Sequence, residues 1–358
     1  MPSLKEIKGR INSISSTLAI TSAMKMVAAA KLQKAQMAIQ NMLPYERRLH
    51  SMLIDLMGAM NISAAASEDG SVRGSGSAER GFDQSGDRLS LSNRHDLAGM
   101  DGAYSLMAQR EVRKVAIVAF ASNSSLCGAF NSNAIREATA VINEYRASGL
   151  RDSDIMVYSV GRKMAEAMRK LGFPSPADFT KMSDSPSYEA ASALAQELLD
   201  GFVSGRFDKV ELVYNHYKST SSQPTTRQTY LPLSLADATA DLQAGKIADS
   251  ASESDTNRGA EPVGAPVVRQ GSPTTEDLIV EPSKEALIAT LLPKVIRLRI
   301  FTTLLDSAAA EHAARTVAMQ LATDNGNDLL QELTLEYNKG RQQKITSEIL
   351  DLVGGSMQ

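Results

Sequence analysis

Cysteine is nearly absent: Cys127 is the single one in 358 residues, so neither an internal disulfide nor a cysteine-rich metal cluster can form. That fits a reducing compartment. Long apolar runs are missing too. With no stretch of about 18 apolar residues, no transmembrane helix is expected, and any membrane contact must come through partners. The four histidines show no HExxH or comparable spacing, so no metal site is assigned. Neither charge sign dominates, and a net charge of -3 gives no general reason to expect nucleic-acid binding. What the chain does have is 43% hydrophobic residues and a length that supports about two domains, enough for a sizeable core.

Apolar or small residues recur at helical spacing at both ends of the chain. In residues 1–60 they fall at Leu4, Ile7, Ile11, Ile14, Leu18, Thr21 and Met24, then at Ala28, Leu32, Ala35, Ile39 and Met42. The steps mostly alternate three and four, the seam of a coiled coil, with a slip in phase between about Thr21 and Leu32. Ser3 and Glu6 after Pro2 have capping-box spacing for a helix start, and Pro44 is expected to bend or interrupt the far end. Residues 283–358 open with Ser283, a good N-cap. Seam pieces follow at Leu298, Phe301, Leu305 and Ala308 and again at Ile345, Ile349 and Leu352, with Pro293, Gly326 and Gly340 as weak points. At about 1.5 Å per residue the two segments reach roughly 85 and 105 Å, which favours a rod over a globule. Antiparallel pairing of the two is the simpler geometry; two separate helices packed on the middle of the chain are the alternative. Over the first 35 residues Lys5, Lys8, Arg10, Lys25, Lys31 and Lys34 face only Glu6, a basic surface that needs an acidic neighbour or water.

Between the ends, residues 115–121 (VAIVAFA) and 154–160 (DIMVYSV) read as short buried strands with a helix over 131–147 between them, a βαβ unit. Helices over 162–171 and 188–203, strands over 210–217 and 227–233, and a short strand over 278–280 complete an open α/β sheet covered by helices. Residues 63–103 and 236–275 are polar and turn-prone and lack the apolar periodicity that ordering needs. They read as flexible insertions, with short helical pieces expected at 89–97. The resulting division is 1–60, a first rod helix; 61–112, an insertion; 113–282, the α/β domain; and 283–358, the second rod helix.

Candidate chemistry is sparse. Residues 122–133 (SNSSLCGAFNSN) follow a strand and precede a helix, where backbone amides cradle phosphate in other folds. With only Gly128, the stretch lacks both the spaced glycines of a dinucleotide loop and the Gly-Lys-Ser/Thr of a P-loop, so a tight turn capped by Asn131 or Ser132 is the better account. Cys127 has no assignable base and fits a buried thiol better than a nucleophile. His216 and His312 are lone histidines. No catalytic or cofactor-binding residue is assigned. The Ala- and Met-rich residues 23–32 (AMKMVAAAKL) suit either coiled-coil filling or a smooth surface against which another protein slides.

Three stretches together carry a resemblance. SLKEIKGRINSI and ITSAMKMVAAAKLQKAQ near the start, LCGAFNSN in the middle and EHAARTVAMQLATDNGNDLLQELTLEYNKGRQQKITSEILDLVGG at the end resemble the gamma-subunit family of F-type ATP synthases. The likeness covers both rods and the strands between them, and leaves the two insertions unmatched. Two departures stand out. Asn123, Ser124 and Ser125 replace the family's usual Asp-Arg-Gly, which removes a charge pair from the turn. Ala19, Ile20, Thr21 and Ser22 replace Lys-Ile-Thr-Lys, which removes two positive charges.

The resemblance implies an α/β fold class made of a long antiparallel coiled coil of the N- and C-terminal helices plus a central Rossmann-like α/β domain. It implies a non-catalytic rotor, present once per complex, inserted in a hexamer of alternating alpha and beta subunits. The domain would bind the epsilon subunit and the membrane c-ring, and the nucleotide chemistry would lie on the beta subunits. Subunit contacts are implied at Met24, Lys25, Arg341, Gln342, Thr346 and Glu348. The expected location is the cytoplasmic side of a bacterial inner membrane, as a peripheral subunit. The basic, acid-poor N-terminus shares the character of an organelle transit peptide; the resemblance makes it the retained shaft helix instead. A static coiled-coil scaffold or chaperone shares the same periodicity, and a Rossmann-like enzyme with helical arms is the third possibility.

Overall fold

The computed structural model describes residues 3–59, 106, 110–233 and 284–356. The expected insertions at 63–103 and 236–275, the helical pieces at 89–97, the strand at 278–280 and the Ser283 cap lie outside these residues. The described chain runs α1 (Leu4–Ala59), β1 (Val115–Phe120), α2 (Phe130–Ala147), β2 (Ile155–Val160), α3 (Arg162–Lys170), α4 (Thr180–Asp184), α5 (Tyr188–Val203), β3 (Lys209–Asn215), β4 (Thr225–Leu231) and α6 (Lys284–Ser356).

The terminal helices pair antiparallel. Thr21 and Thr323 share a hydrogen bond of 3.1 Å, Leu18 lies against Gly326 and Leu4 against Gly340, while Thr302 donates to Glu46 at the other end. Numbers rise on one helix as they fall on the other. Both glycines are two heptads apart, as are the leucines that face them, so each leucine seats in a socket left by a missing Cβ. At the start of α1 the Glu6 backbone N–H donates to Ser3 Oγ (3.3 Å), the forward half of the expected capping box.

Two expectations about the rod are corrected. The seam does not slip at Met24: that side chain is 40% exposed, and the neighbouring Lys25 is the half-buried one. With Lys25 in line, the inward positions run Leu18, Thr21, Lys25, Ala28, Leu32, Ala35 and Ile39, an unbroken alternation of threes and fours. A lysine can occupy such a place by burying its methylenes and leading its ammonium out to water. The second correction is that α1 runs through Pro44 without interruption. A proline there costs one backbone hydrogen bond, but Leu49, Leu53 and Leu56 beyond it are buried in the main core, which holds the helix on course. Pro293 is likewise internal to α6.

The middle of the chain is a four-stranded sheet in the order β2-β1-β3-β4. β1 pairs parallel with β2 and β3, as the βαβ pattern requires, and β4 pairs antiparallel with β3. Side chains alternate between its faces. Val115, Ile117, Ala119, Val157 and Val213 pack with α2 and α3; Ala116, Val118, Phe120, Val160 and Leu212 pack with α5, with the end of α1 and with the start of α6 through Ile288, Leu292 and Ile296. The base of the rod is therefore part of the domain core. Tyr230 of β4 adds a buried hydrogen bond to the Ile296 carbonyl (2.9 Å). α4 is too short to announce itself by periodicity, whereas α5 starts and stops where expected, with Ser187 Oγ capping Ala190 N–H (3.3 Å).

Beside α2, Glu211 is buried on β3 and accepts from Tyr145 Oη (2.6 Å), Lys209 Nζ (2.7 Å) and Arg227 Nε (2.7 Å). Arg227 also pairs with Glu144. Burial pushes the Glu211 carboxyl up, but these donors more than reverse it and leave it below the ordinary value.

Candidate functional site

In open α/β sheets ligands bind outside the carboxyl ends of the strands, where neighbouring connections leave in opposite directions. Here that place is the loop after β1, and it is filled from within. Asn131 is not an N-cap, and neither is Ser132: α2 begins at Phe130 after Ala129, with no side-chain cap. Asn131 turns back instead, accepting from Ser122 N–H (3.0 Å) and Ser122 Oγ (3.0 Å) and donating to the Ser124 carbonyl (3.2 Å) and Cys127 Sγ (3.1 Å). Cys127 is 1% exposed among these groups, a packed thiol.

The next loop is tied to the first. Asn123 donates to the Thr180 carbonyl (2.7 Å) and accepts from Arg162 N–H (2.7 Å). Gly161, at φ 97°, precedes α3, and a Cβ there would collide with the Ala121 carbonyl, so only glycine fits between the two loops. The first free amides of α3 thus point at protein.

α6 lies over this edge. Arg315 donates to Ser124 Oγ (2.6 Å) and to Glu311 (2.7 Å), while Ala310 packs with Cys127 and Phe130. Ser124 is thus the turn's attachment to the rod. The space left under Glu311, between Phe120, Val160, Ser183 and Ser307, is about 10 Å³, room for about one water. Burial pushes the Glu311 carboxyl up against the pull of Arg315, and burial with Arg315 and Lys31 pushes the His312 imidazole down to about 4. This arrangement welds the domain to a helix. Among the described residues no group of three or more His, Cys, Asp or Glu is placed to hold a metal, and no helix is long and apolar enough to cross a membrane.

The rod also carries exposed apolar surface. Ile20, Met24 and Val27 make an exposed apolar face at helical spacing on α1, beside the half-buried Lys25. Lys25 has no ion-pair partner among the described residues. Gly340 lies level with Leu4, and Gln343 and Lys344 still border Ser3 and Leu4, so among the described residues α6 runs on unpaired over residues 345–356, roughly 18 Å past the paired rod. Ile345, Ile349, Leu352 and Val353 are all exposed there, by 44 to 73%.

The structure therefore places the six expected contact residues in two groups. Met24 and Lys25 lie on the paired rod; Arg341, Gln342, Thr346 and Glu348 lie where the paired rod gives way to the tip, all exposed. There Thr346 Oγ1 donates to the Gln342 carbonyl (2.9 Å) and Glu348 pairs loosely with Lys344 (3.8 Å). The groups stand about 20 residues, roughly 30 Å, apart along α6. Sequence reasoning passed over Asp306, the carboxylate in LLDSAAA, which binds His216 Nδ1 (2.6 Å) and the Tyr217 amide (2.8 Å). A lone acid within an Ala-rich seam was the available signal.

Comparisons with known proteins agree with this architecture. A sequence model described as ATP synthase matches residues 3–357. The chain is 46% identical over 357 residues to a protein named ATP synthase gamma chain from Phocaeicola vulgatus, and 44% identical over 358 residues to one of the same name from Bacteroides thetaiotaomicron; each alignment covers 100% of both chains. Such end-to-end matches include the two insertions. Among solved structures, a chain of the Euglena gracilis mitochondrial ATP synthase superposes with a TM-score of 0.52 at 19% identity, covering 99% of this chain and 93% of that one, a likeness of fold.

Proposed function

The chain belongs to the ATP synthase gamma-chain family, and from that premise we propose how it acts: it is the rotor of the central stalk, a non-catalytic subunit that carries torque between an ion-driven membrane ring and a catalytic hexamer. The observation that carries this reading is the single-helix tip. An apolar helix end that projects beyond its own partner helix suits an apolar sleeve formed by other subunits, and a paired rod below it resists bending better than one helix.

In this account residues 341–356, the end of the paired rod and the tip beyond it, sit within the hexamer of alternating alpha and beta subunits. Met24 and Lys25 face the level at which beta subunits press on the shaft. Rotation of this asymmetric rod favours a different conformation in each of three beta subunits in turn, and ATP is made or hydrolysed on those subunits. The α/β domain, whose ligand edge is closed by α6, serves as the foot that meets the epsilon subunit and the c-ring. The complex would lie at the cytoplasmic side of a bacterial inner membrane, with this subunit held there by its partners.

Co-purification tests the proposal. A tagged chain is expected to bring down a nucleotide-hydrolysing complex with alpha and beta subunits, and to show no ATPase activity alone. A free monomer that hydrolyses ATP would overturn it.

A further inference from the structure

Besides the main core and the Arg315–Ser124 contact, a short strap where β3 gives way to the turn before β4 ties the domain to the rod. Asp306 of α6 accepts from His216 Nδ1 (2.6 Å) and from the Tyr217 amide (2.8 Å). The Tyr217 hydroxyl accepts from Gln36 Nε2 of α1 (2.7 Å). Its ring packs against two separate small clusters, one of Leu32, Ala309 and Ala313 between the rod helices, the other of Cys127, Phe130 and Ala310 at the start of α2. One residue thus touches both rod helices and the domain. Beside it, between α1, α6 and the β3–β4 edge, lies a cavity of about 310 Å³, so the strap is not backed by packed side chains there.

We propose that the His216–Tyr217 strap is a joint that passes torque between the α/β domain and both rod helices, and that protonation of His216 sets how firmly Asp306 holds it. The role in torque rests on the rotor function above; the protonation-dependent grip does not. Tyr217 and Asp306 are positioning residues in this account.

The charged groups around His216 are Asp306 and Arg299 on α6, Glu46, Arg47 and His50 on α1, and Lys218 on the strap itself. Its hydrogen bond to Asp306 holds the imidazole above its ordinary value, against burial and Lys218. The sign follows. A group whose pKa is raised in the folded state contributes fully below the ordinary imidazole value near 6.5, and that contribution is lost as pH rises through the raised value. The grip therefore weakens towards alkaline pH.

Amide hydrogen exchange on the full chain, from about pH 6 to about pH 9 and corrected for intrinsic exchange, tests the grip. Protection of the Tyr217 amide is expected to fall about five-fold across the His216 titration, as suits a charge-assisted bond with a half-exposed imidazole. In His216→Asn that pH dependence should vanish. In Asp306→Asn it should vanish with protection low throughout, while β1 amides keep theirs and show the domain folded. An unchanged pH profile in His216→Asn overturns the proposal.

In membrane vesicles carrying the assembled complex, protons pumped per ATP should fall over the same pH range and become pH-independent in His216→Asn. Tyr217→Phe, which removes the hydroxyl that Gln36 binds, should lower the pumping ratio at every pH while ATP hydrolysis continues. Unaltered pumping in both variants overturns the role in torque. Failure of the wild-type chain to join an ATPase complex counts instead against the rotor function, and leaves the exchange result standing.

Discussion

Gly326→Ala is the substitution in which the rod geometry and simple propensity disagree most usefully. In an isolated helix, alanine is better than glycine by about 1 kcal/mol. In this rod a Cβ at position 326 would lie 2.6 Å from Leu18 Cδ2 and 3.1 Å from Leu18 Cγ, against an ordinary carbon contact of about 3.5–4.0 Å. The leucine must move by nearly an ångström or the helices must part, an overpacking cost of about 1–3 kcal/mol. The net expectation is a local loss of about 1 kcal/mol. At Gly340 the corresponding distances to Leu4 are 3.1 and 3.9 Å, and Leu4 opens its helix, so the same substitution should gain about 0.5 kcal/mol. Amide exchange across residues 318–334 measures the first and across residues 334–348 the second, with Leu18→Ala as the control background, where Gly326→Ala should gain about its full propensity of 1 kcal/mol. If Gly326→Ala stabilises the rod equally with Leu18 present or absent, the socket argument is wrong.

Other outcomes follow from the same geometry. Lys25→Glu reverses a charge that no described residue pairs, so it should change the coupling of proton flow to ATP turnover more than assembly; equal loss of both would refute a contact role there. Replacing Ile349 and Leu352 on the tip by serine should leave the domain folded, since neither is buried in this chain, and should lower co-purification of the hexamer. In the domain, Glu211→Ala strips the carboxylate from Lys209, Arg227 and Tyr145, and should cost about 3 kcal/mol in denaturant unfolding, with Glu211→Gln costing less. Because the Glu211 pKa is lowered, its contribution is present above the ordinary carboxylate value near 4.5 and is lost as pH falls through the lowered value. Acid unfolding of the wild-type domain should show that loss, and Glu211→Gln should not.

Most of the architecture was legible because periodicity is long in the rods and sharp in the strands. VAIVAFA and VELVYN lie in the interior of a sheet covered on both sides, and their apolar density says so. Where expectation failed, a local preference lost to geometry. Met24 is the more apolar choice for a seam, but an unbroken three-four alternation continues through Lys25, and a lysine stem can fill that place. Pro44 breaks isolated helices; here the buried leucines beyond it decide. Asn131 has the chemistry of a cap, yet it is spent on Ser122 and Ser124, because the loop after β1 must be held flat beneath α6. The strap around Tyr217 was invisible for another reason: Gln36, Tyr217 and Asp306 are far apart in sequence and meet only when both rods and the sheet are assembled.

On the rotor reading, this chain turns relative to the subunits that hydrolyse ATP. Lys170 is exposed at the end of α3 and Cys127 is buried, so Lys170→Cys offers one reactive thiol on the foot for a bead or a fluorophore. With the hexamer fixed to a surface and ATP supplied, the label should rotate in one direction, and it should stop when ATP is withdrawn. A label that stays still while the complex hydrolyses ATP would contradict the account and leave the rod a static scaffold.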